Sequence, residues 1–193
     1  MDITNDTVVR CFVAVEIPKP IQELLKAGQT HLQSHIRKAS WTKPGNFHLT
    51  LKFLGDVRPE AIDEVSEAIQ RVAGAYSPFS IEFGGIGAFP NLARPRVIWM
   101  GVKEGASTVS QLAKTVNLEL GHLGFPADNR FHPHLTLARL RTATNLEPLK
   151  NILRKHNTVN DTAMSVNEIT LMQSQLHPSG AVYTPLSLCH FSA

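Results

Sequence analysis

The tetrapeptide His-Leu-Thr-Leu occurs twice, at His48–Leu51 and at His134–Leu137, and this duplication constrains the fold more than any other feature of the chain. In an extended strand, alternate side chains share a face. His48 and Thr50 therefore project together, opposite Leu49, Leu51 and Phe53, while His134 and Thr136 project opposite Leu135 and Leu137. Each strand then has an apolar face for a core and a short polar face carrying an imidazole and a hydroxyl. Pro133 suits the start of the second strand, because proline at that position forfeits no ladder hydrogen bond.

The segments around the two copies follow one order. In the first half, a strand over Val8–Val15 precedes a helix opened by Pro18 and Pro20, with Ile21, Leu24, Leu25, Gly28 and Leu32 at helical spacing. The turn Lys43-Pro44-Gly45 leads to a strand at His48–Leu54, and Pro59 starts a helix carrying Ile62, Val65, Ile69 and Val72. A strand over Phe79–Phe83 then ends in the glycine-rich bend Gly84–Gly87. In the second half, a strand at Val97–Val102 precedes a helix bearing Val109, Leu112, Ala113, Val116 and Leu120, and the second tetrapeptide begins the next strand. The capping box Thr144-Asn145-Leu146-Glu147 opens a further helix. Strands over Val166–Met172 and Val182–His190 close the chain around the turn Pro178-Ser179-Gly180.

The expected fold is α+β: a single bilobal domain over residues 1–193, arising from an internal duplication, with repeats over roughly 8–90 and 95–190. Two mainly antiparallel sheets would flank a central groove, with helices outside. A period this long excludes a solenoid.

Bringing the two polar faces together gives a groove with two histidines and two threonines, a setting suited to an anionic phosphodiester. Hydrolysis of a cyclic phosphate needs a base for the attacking water and an acid for the departing oxygen. Two imidazoles supply both near neutral pH, and threonine hydroxyls can donate to the non-bridging oxygens as charge gathers there. A zinc site built on His122, His132 and His134 is the main chemical rival. The usual ligand spacings are absent, and neither motif contains a carboxylate, so no metal or cofactor is expected.

Charge and composition permit this reading and exclude others. The formal charge of +3 allows a polyanionic ligand, and the longest basic runs are pairs such as Arg37-Lys38 and Arg154-Lys155, unlike a chromatin-type protein. Lys43, Lys52, Arg96, Arg130 and Arg141 lie near the motifs and could line the path of a polyanionic ligand, Lys52 on the His48 face by alternation. No apolar run reaches the roughly 18 residues of a membrane helix, and the polar start Met1–Asp6 does not read as a secretory signal. Cys11 and Cys189 form no CxxC pair, which fits a reducing cytoplasm. Cys11 has apolar neighbours that raise a thiol pKa, so it makes a poor nucleophile.

The paired segments resemble the HxTx motifs of the two-histidine (2H) phosphoesterases, and more narrowly the bacterial and archaeal RNA 2′,3′-cyclic phosphodiesterases once named 2′-5′ RNA ligases. The resemblance covers nearly the whole chain: Arg10–Val15, Trp41–Pro44 through Leu54-Gly55, Arg94–Trp99, Phe131–Arg139 and Gln173-Ser174. It implies His48 as proton donor to the leaving oxygen and His134 as proton acceptor, with Thr50, Thr136 and Arg139 on the phosphate. Arg139 needs a strand end or bulge to reach that face. The resemblance also implies Phe12 as an aromatic that stacks on the terminal base, a 2′-phosphate product, and in some relatives 2′-5′ joining of RNA ends. The partner is then RNA with a 2′,3′-cyclic phosphate or 2′-phosphate terminus, bound by a cytoplasmic monomer. Two alternatives use the same groove: a non-catalytic module that binds RNA ends, and 2H chemistry on 2′,5′-linked oligonucleotides or cyclic nucleotides.

Overall fold

The computed structural model describes residues 8–128, 130–141, 145, 146, 148, 150–155, 162–178 and 180–192. Thr144 and Glu147 of the expected capping box, and Ser179 of the last turn, lie outside them.

The elements in chain order are β1 (Val9–Glu16), α1 (Lys19–Gln33), β2 (Ala39–Trp41), β3 (His48–Val57), a 3-10 turn (Pro59–Ala61) entering α2 (Ile62–Gly74), β4 (Phe79–Phe89), β5 (Val97–Glu104), α3 (Ala106–Gly121), β6 (His134–Leu140), α4 (Lys150–Lys155), β7 (Ala163–Val166), β8 (Glu168–His177) and β9 (Gly180–His190). Proline stands in the first turn of α1, where its missing N–H leaves no helical bond unmade. The apolar spacing of α3 holds in full, with Val109, Leu112, Ala113, Val116 and Leu120 all buried. Gly84 and Gly85 do not end β4. The strand continues to Phe89, and the glycines absorb an irregularity in its register with β5, Gly85 at φ 81°.

The strands pair antiparallel in one continuous sheet ordered β7-β4-β5-β6-β3-β1-β8-β9, with β2 alongside β6. The expected pair of sheets is therefore corrected to one. Its two sides meet where β3 and β6 pair, with Leu49 opposite Leu135. The expected halves are corrected as well. On one side of this seam the order is β3-β1-β8-β9, and on the other β6-β5-β4-β7. Thus β4, from the first half of the chain, pairs with β5, and β8, from the second, pairs with β1. Spatial sides and the stretches 8–90 and 95–190 do not coincide.

One face of the sheet carries the core. Leu49, Leu51, Leu135 and Leu137 are buried there together with the apolar stripes of α1, α2 and α3, each such leucine contributing about 1.5–3 kcal/mol of transfer free energy. Because helices cover that face, the alternate residues of β3 and β6 project from the other, where the groove lies.

Candidate active site

The alternation that carries His48 and Thr50 onto the open face first breaks at the residue after each motif threonine, and β3 has a second irregularity at Leu54. In β1–β3 pairing, Ala14 faces Thr50 and Val13 faces Lys52, so Leu51 is an extra residue. In β5–β6 pairing, Trp99 faces Thr136 and Ile98 faces Ala138, so Leu137 is extra. A bulge of this kind places two successive side chains on one side and reverses the later pattern. Lys52 and Ala138 are buried, while Phe53 and Arg139 emerge on the groove face. This is the bulge Arg139 needs. Lys52 also lines the groove, as expected, but its Nζ is committed within the protein, donating to Asn117 Oδ1 and to the Pro126 carbonyl at 2.7 Å.

The carbonyl that a bulge leaves without a ladder partner must be satisfied elsewhere. The Leu137 oxygen accepts from the Thr42 amide at 2.9 Å and from the Nε2 of buried Gln29 on α1 at 2.8 Å. The Thr42 hydroxyl also donates to the Thr136 carbonyl at 2.8 Å. The segment from Trp41 to Thr42 and the helix α1 thus lock the irregularity that aims Arg139.

The two histidines are held alike. His48 Nδ1 lies 2.9 Å from the Asn46 carbonyl, and His134 Nδ1 lies 2.6 Å from the His132 carbonyl, in each case the residue two positions earlier. A carbonyl only accepts, so each Nδ1 carries the proton, and each Nε2 is left as the working nitrogen. The register through Leu49 and Leu135, extended one residue either way, sets His48 across from Thr136 and Thr50 across from His134. The imidazoles are then diagonal neighbours, a relation that spans about 7–8 Å on a regular ladder.

His48, Thr50, His134, Thr136, Arg139, Phe12 and Arg130, the residues expected at the site, all line one groove of about 410 Å³. Among the described residues, neither threonine hydroxyl is hydrogen-bonded within the protein, and Arg139 forms no ion pair. Burial lowers the His48 pKa to about 4, and the nearby Arg139 guanidinium and His134 push in the same direction, against the Asn46 hydrogen bond. The His134 pKa is also lowered, mainly by burial and further by His132 and Arg139. Both rings are therefore neutral near pH 7. Burial raises the Cys11 thiol to about 11, which removes it as a nucleophile.

Phe12 is 2% exposed, its ring centroid 4.7 Å from His48, 5.1 Å from Tyr183 and 6.1 Å from Phe53. It is a floor beneath the histidine with no free face, and the open aromatic surface belongs to Phe53, 68% exposed. The sequence reading assigned Phe53 to the opposite face and did not single out Tyr183, whose ring meets His48 edge-on at 4.9 Å. His134 has its own aromatic setting, with Phe89 at 5.0 Å and Trp99 at 6.2 Å. Gly87 makes that packing possible, since a Cβ there would collide with the Trp99 ring. The three histidines of the zinc rival do not gather: among the described residues no group of three metal-ligating side chains forms, and His122 stands at the end of α3, outside the groove. Nor is any helix among them long and apolar enough to cross a membrane.

Known proteins are similar to this chain in sequence and in fold. Residues 44–178 match the 2′-5′ RNA ligase superfamily. A protein of Aquifex aeolicus named RNA 2′,3′-cyclic phosphodiesterase is 37% identical over 180 residues, covering 92% of this chain and 94% of its own. One of Archaeoglobus fulgidus with the same name is 37% identical over 178 residues, covering 92% and 98%. The crystal structure of E. coli LigT complexed with 3′-AMP is similar at a TM-score of 0.74 and 25% identity, covering 97% and 100%. With a family match over most of its length and relatives of this identity, the chain belongs to the 2′-5′ RNA ligase superfamily.

Proposed function

We propose that this protein hydrolyses 2′,3′-cyclic phosphate ends of RNA to 2′-phosphate ends, with His48 as proton donor and His134 as proton acceptor. The observation that carries the reading is the matched pair of imidazoles, each pinned at Nδ1 and offering Nε2 to one groove that also holds two uncommitted threonine hydroxyls and an unpaired guanidinium. Two relatives named RNA 2′,3′-cyclic phosphodiesterase support the same substrate.

The reaction follows from these groups. Thr50, Thr136 and Arg139 hold the non-bridging oxygens, and their donors strengthen as the phosphorane gathers charge. His134 Nε2 takes the proton of the attacking water, and His48 Nε2–H protonates the departing ribose 3′-oxygen. The hydrogen bond that anchors His134 is exposed whereas that of His48 is part-buried, which favours water arriving on the His134 side. The aromatic wall of Phe12, Phe53 and Tyr183 stands beside His48, the side of the leaving nucleoside oxygen, and Phe53 takes the base-stacking role first assigned to Phe12. A neutral His48 acquires its proton when the phosphate anion arrives, because a negative charge beside the ring favours imidazolium. With a ribose hydroxyl in place of water, the same residues run 2′-5′ joining of RNA ends. The protein acts as a cytoplasmic monomer, a location in keeping with its two buried free thiols.

Incubation with RNA ending in a 2′,3′-cyclic phosphate, in EDTA, tests this directly. The expected product is a 2′-phosphate end. Tight binding of that RNA with no product after prolonged incubation would show an RNA-end-binding module instead.

A further inference from the structure

The groove continues past the reactive residues, and one end of it is built around a buried amine that the mechanism leaves unused. Along β3 from Thr50 come Phe53 and Gly55, with Arg10 on the neighbouring strand β1. In the antiparallel direction from His134 come His132, Phe131, Arg130 and Asp128. These two walls face each other across the same groove. Arg10 and Arg130 are both exposed, and among the described residues neither guanidinium makes an ion pair.

The loop that carries Arg130 is tied down by Lys52, a side chain only 4% exposed. Its Nζ donates to Asn117 Oδ1 and to the Pro126 carbonyl, and the same Asn117 oxygen accepts the Asp128 amide at 3.1 Å. Asp128 Oδ1 in turn accepts the Arg130 amide at 2.9 Å. Burying an ammonium without a carboxylate in contact is costly. Asp128 offsets part of that cost by its charge, while Arg10, set opposite Asp56 in the β1–β3 register, and Arg130 form no ion pair among the described residues. Along the wall the order is His48, then the Phe12–Phe53 pair, then Arg10, matching the order phosphate, base, phosphate in a nucleotide chain.

We propose that Arg10 and Arg130 form a subsite for the phosphodiester on the 5′ side of the terminal nucleotide, and that Lys52 is the positioning residue that holds the Arg130 loop against it. The inference rests on the cyclic-phosphate reading and sharpens its substrate class: a chain of at least two nucleotides is preferred over a cyclic mononucleotide. Guanidinium–phosphate contacts supply the affinity, and Lys52 acts only through the loop.

The test compares uridine 2′,3′-cyclic phosphate with a tetranucleotide ending in the same group, reading KM and kcat for each. The full chain is expected to show a clearly lower KM for the tetranucleotide, and this advantage should weaken with salt. Arg10→Gln and Arg130→Gln, exposed positions that leave the core intact, should each cut the preference by about tenfold, as loss of one charge-assisted contact does. Lys52→Met should cut it through the tetranucleotide KM, with Lys52→Arg restoring part. A preference unchanged in both arginine variants, or equal KM values for the two substrates in the unmodified protein, overturns the subsite while leaving the cyclic-phosphate reading intact. No turnover of either substrate sinks that reading, and this inference with it.

Discussion

The central strands read His-Leu-Thr-Leu-Lys-Phe-Leu in β3 and His-Leu-Thr-Leu-Ala-Arg-Leu in β6, and they bulge at the same leucine. Four residues supply an identical frame, and the next two decide what each wall does. On β3 the bulge buries an ammonium and exposes a phenyl ring. On β6 it buries a methyl group and exposes a guanidinium. One wall is thereby suited to a base and the other to a phosphate. The histidines differ to match: His48 sits on Phe12 and against Tyr183, whereas His134 lies beside Phe89 and the exposed His132. The two strands share one frame, and the fifth position after each histidine, Phe53 against Arg139, is where their groove faces diverge.

The largest test removes the shared part. His48→Ala and His134→Ala should each lower kcat by about 10²–10⁴-fold with folding retained, measured on cyclic-phosphate RNA with circular dichroism as control. The double variant should lose little more than the worse single one, because acid and base act as a unit. Near-normal turnover in either single variant ends the two-histidine scheme.

The next tests address the fifth positions, where the walls diverge. Arg139→Gln should reduce kcat/KM by about 10–100-fold, since it deletes a charged donor from the phosphate. Phe53→Ala should raise KM by about tenfold with kcat held, the signature of a base that loses its stacking surface. If Phe53→Ala instead lowers kcat alone, the aromatic wall shapes the histidine and does not seat the nucleoside.

The polar face shared by His and Thr was legible from the sequence because it depends on strand alternation alone, and so was α3, whose apolar stripe is unbroken. The side of Phe53 was not. It depends on Val13 and Ala14 of β1 skipping Leu51, a pairing choice that no local pattern within His48–Leu54 encodes. The need for a bulge before Arg139 could be stated in advance only because the resemblance demanded that residue at the phosphate. Tyr183 carried no signal, since it reaches His48 from β9, an edge strand separated from β3 by β1 and β8. The single sheet has no local signature for a similar reason: whether two hairpin systems merge depends on one cross-seam pairing, Leu49 with Leu135. Gly84–Gly87 read as a bend because glycine marks both bends and bulges.

The support behind His134 gives a smaller effect. Gly87→Ala would drive a methyl group into the Trp99 ring, and overpacking of this kind costs about 1–3 kcal/mol. Urea unfolding should show the loss. Displacing Trp99 disturbs the His134 wall only, so activity should fall without any change in the KM contribution from Phe53.

The smallest expected effect concerns protons, and it sharpens the contrast between the two rings. Unfolded histidine titrates near ~6.5, whereas folded His48 titrates at about 4. Between those values the unfolded chain holds more protons than the folded one, so stability is fully present above about 6.5 and is lost as pH falls toward 4. His134 adds in the same direction. Replacing His48 by Gln should therefore flatten the fall in urea stability between pH 6.5 and 4 more than replacing His134 does. An anion reverses the sign, because phosphate in the groove favours imidazolium. Phosphate binding should then take up protons and tighten as pH drops, by at most about tenfold per pH unit for one linked proton. Calorimetric titration in two buffers of different ionisation enthalpy counts those protons. Binding with no proton uptake in the unmodified protein would mean that neither ring receives a proton when phosphate arrives, and the scheme would lose its proton donor.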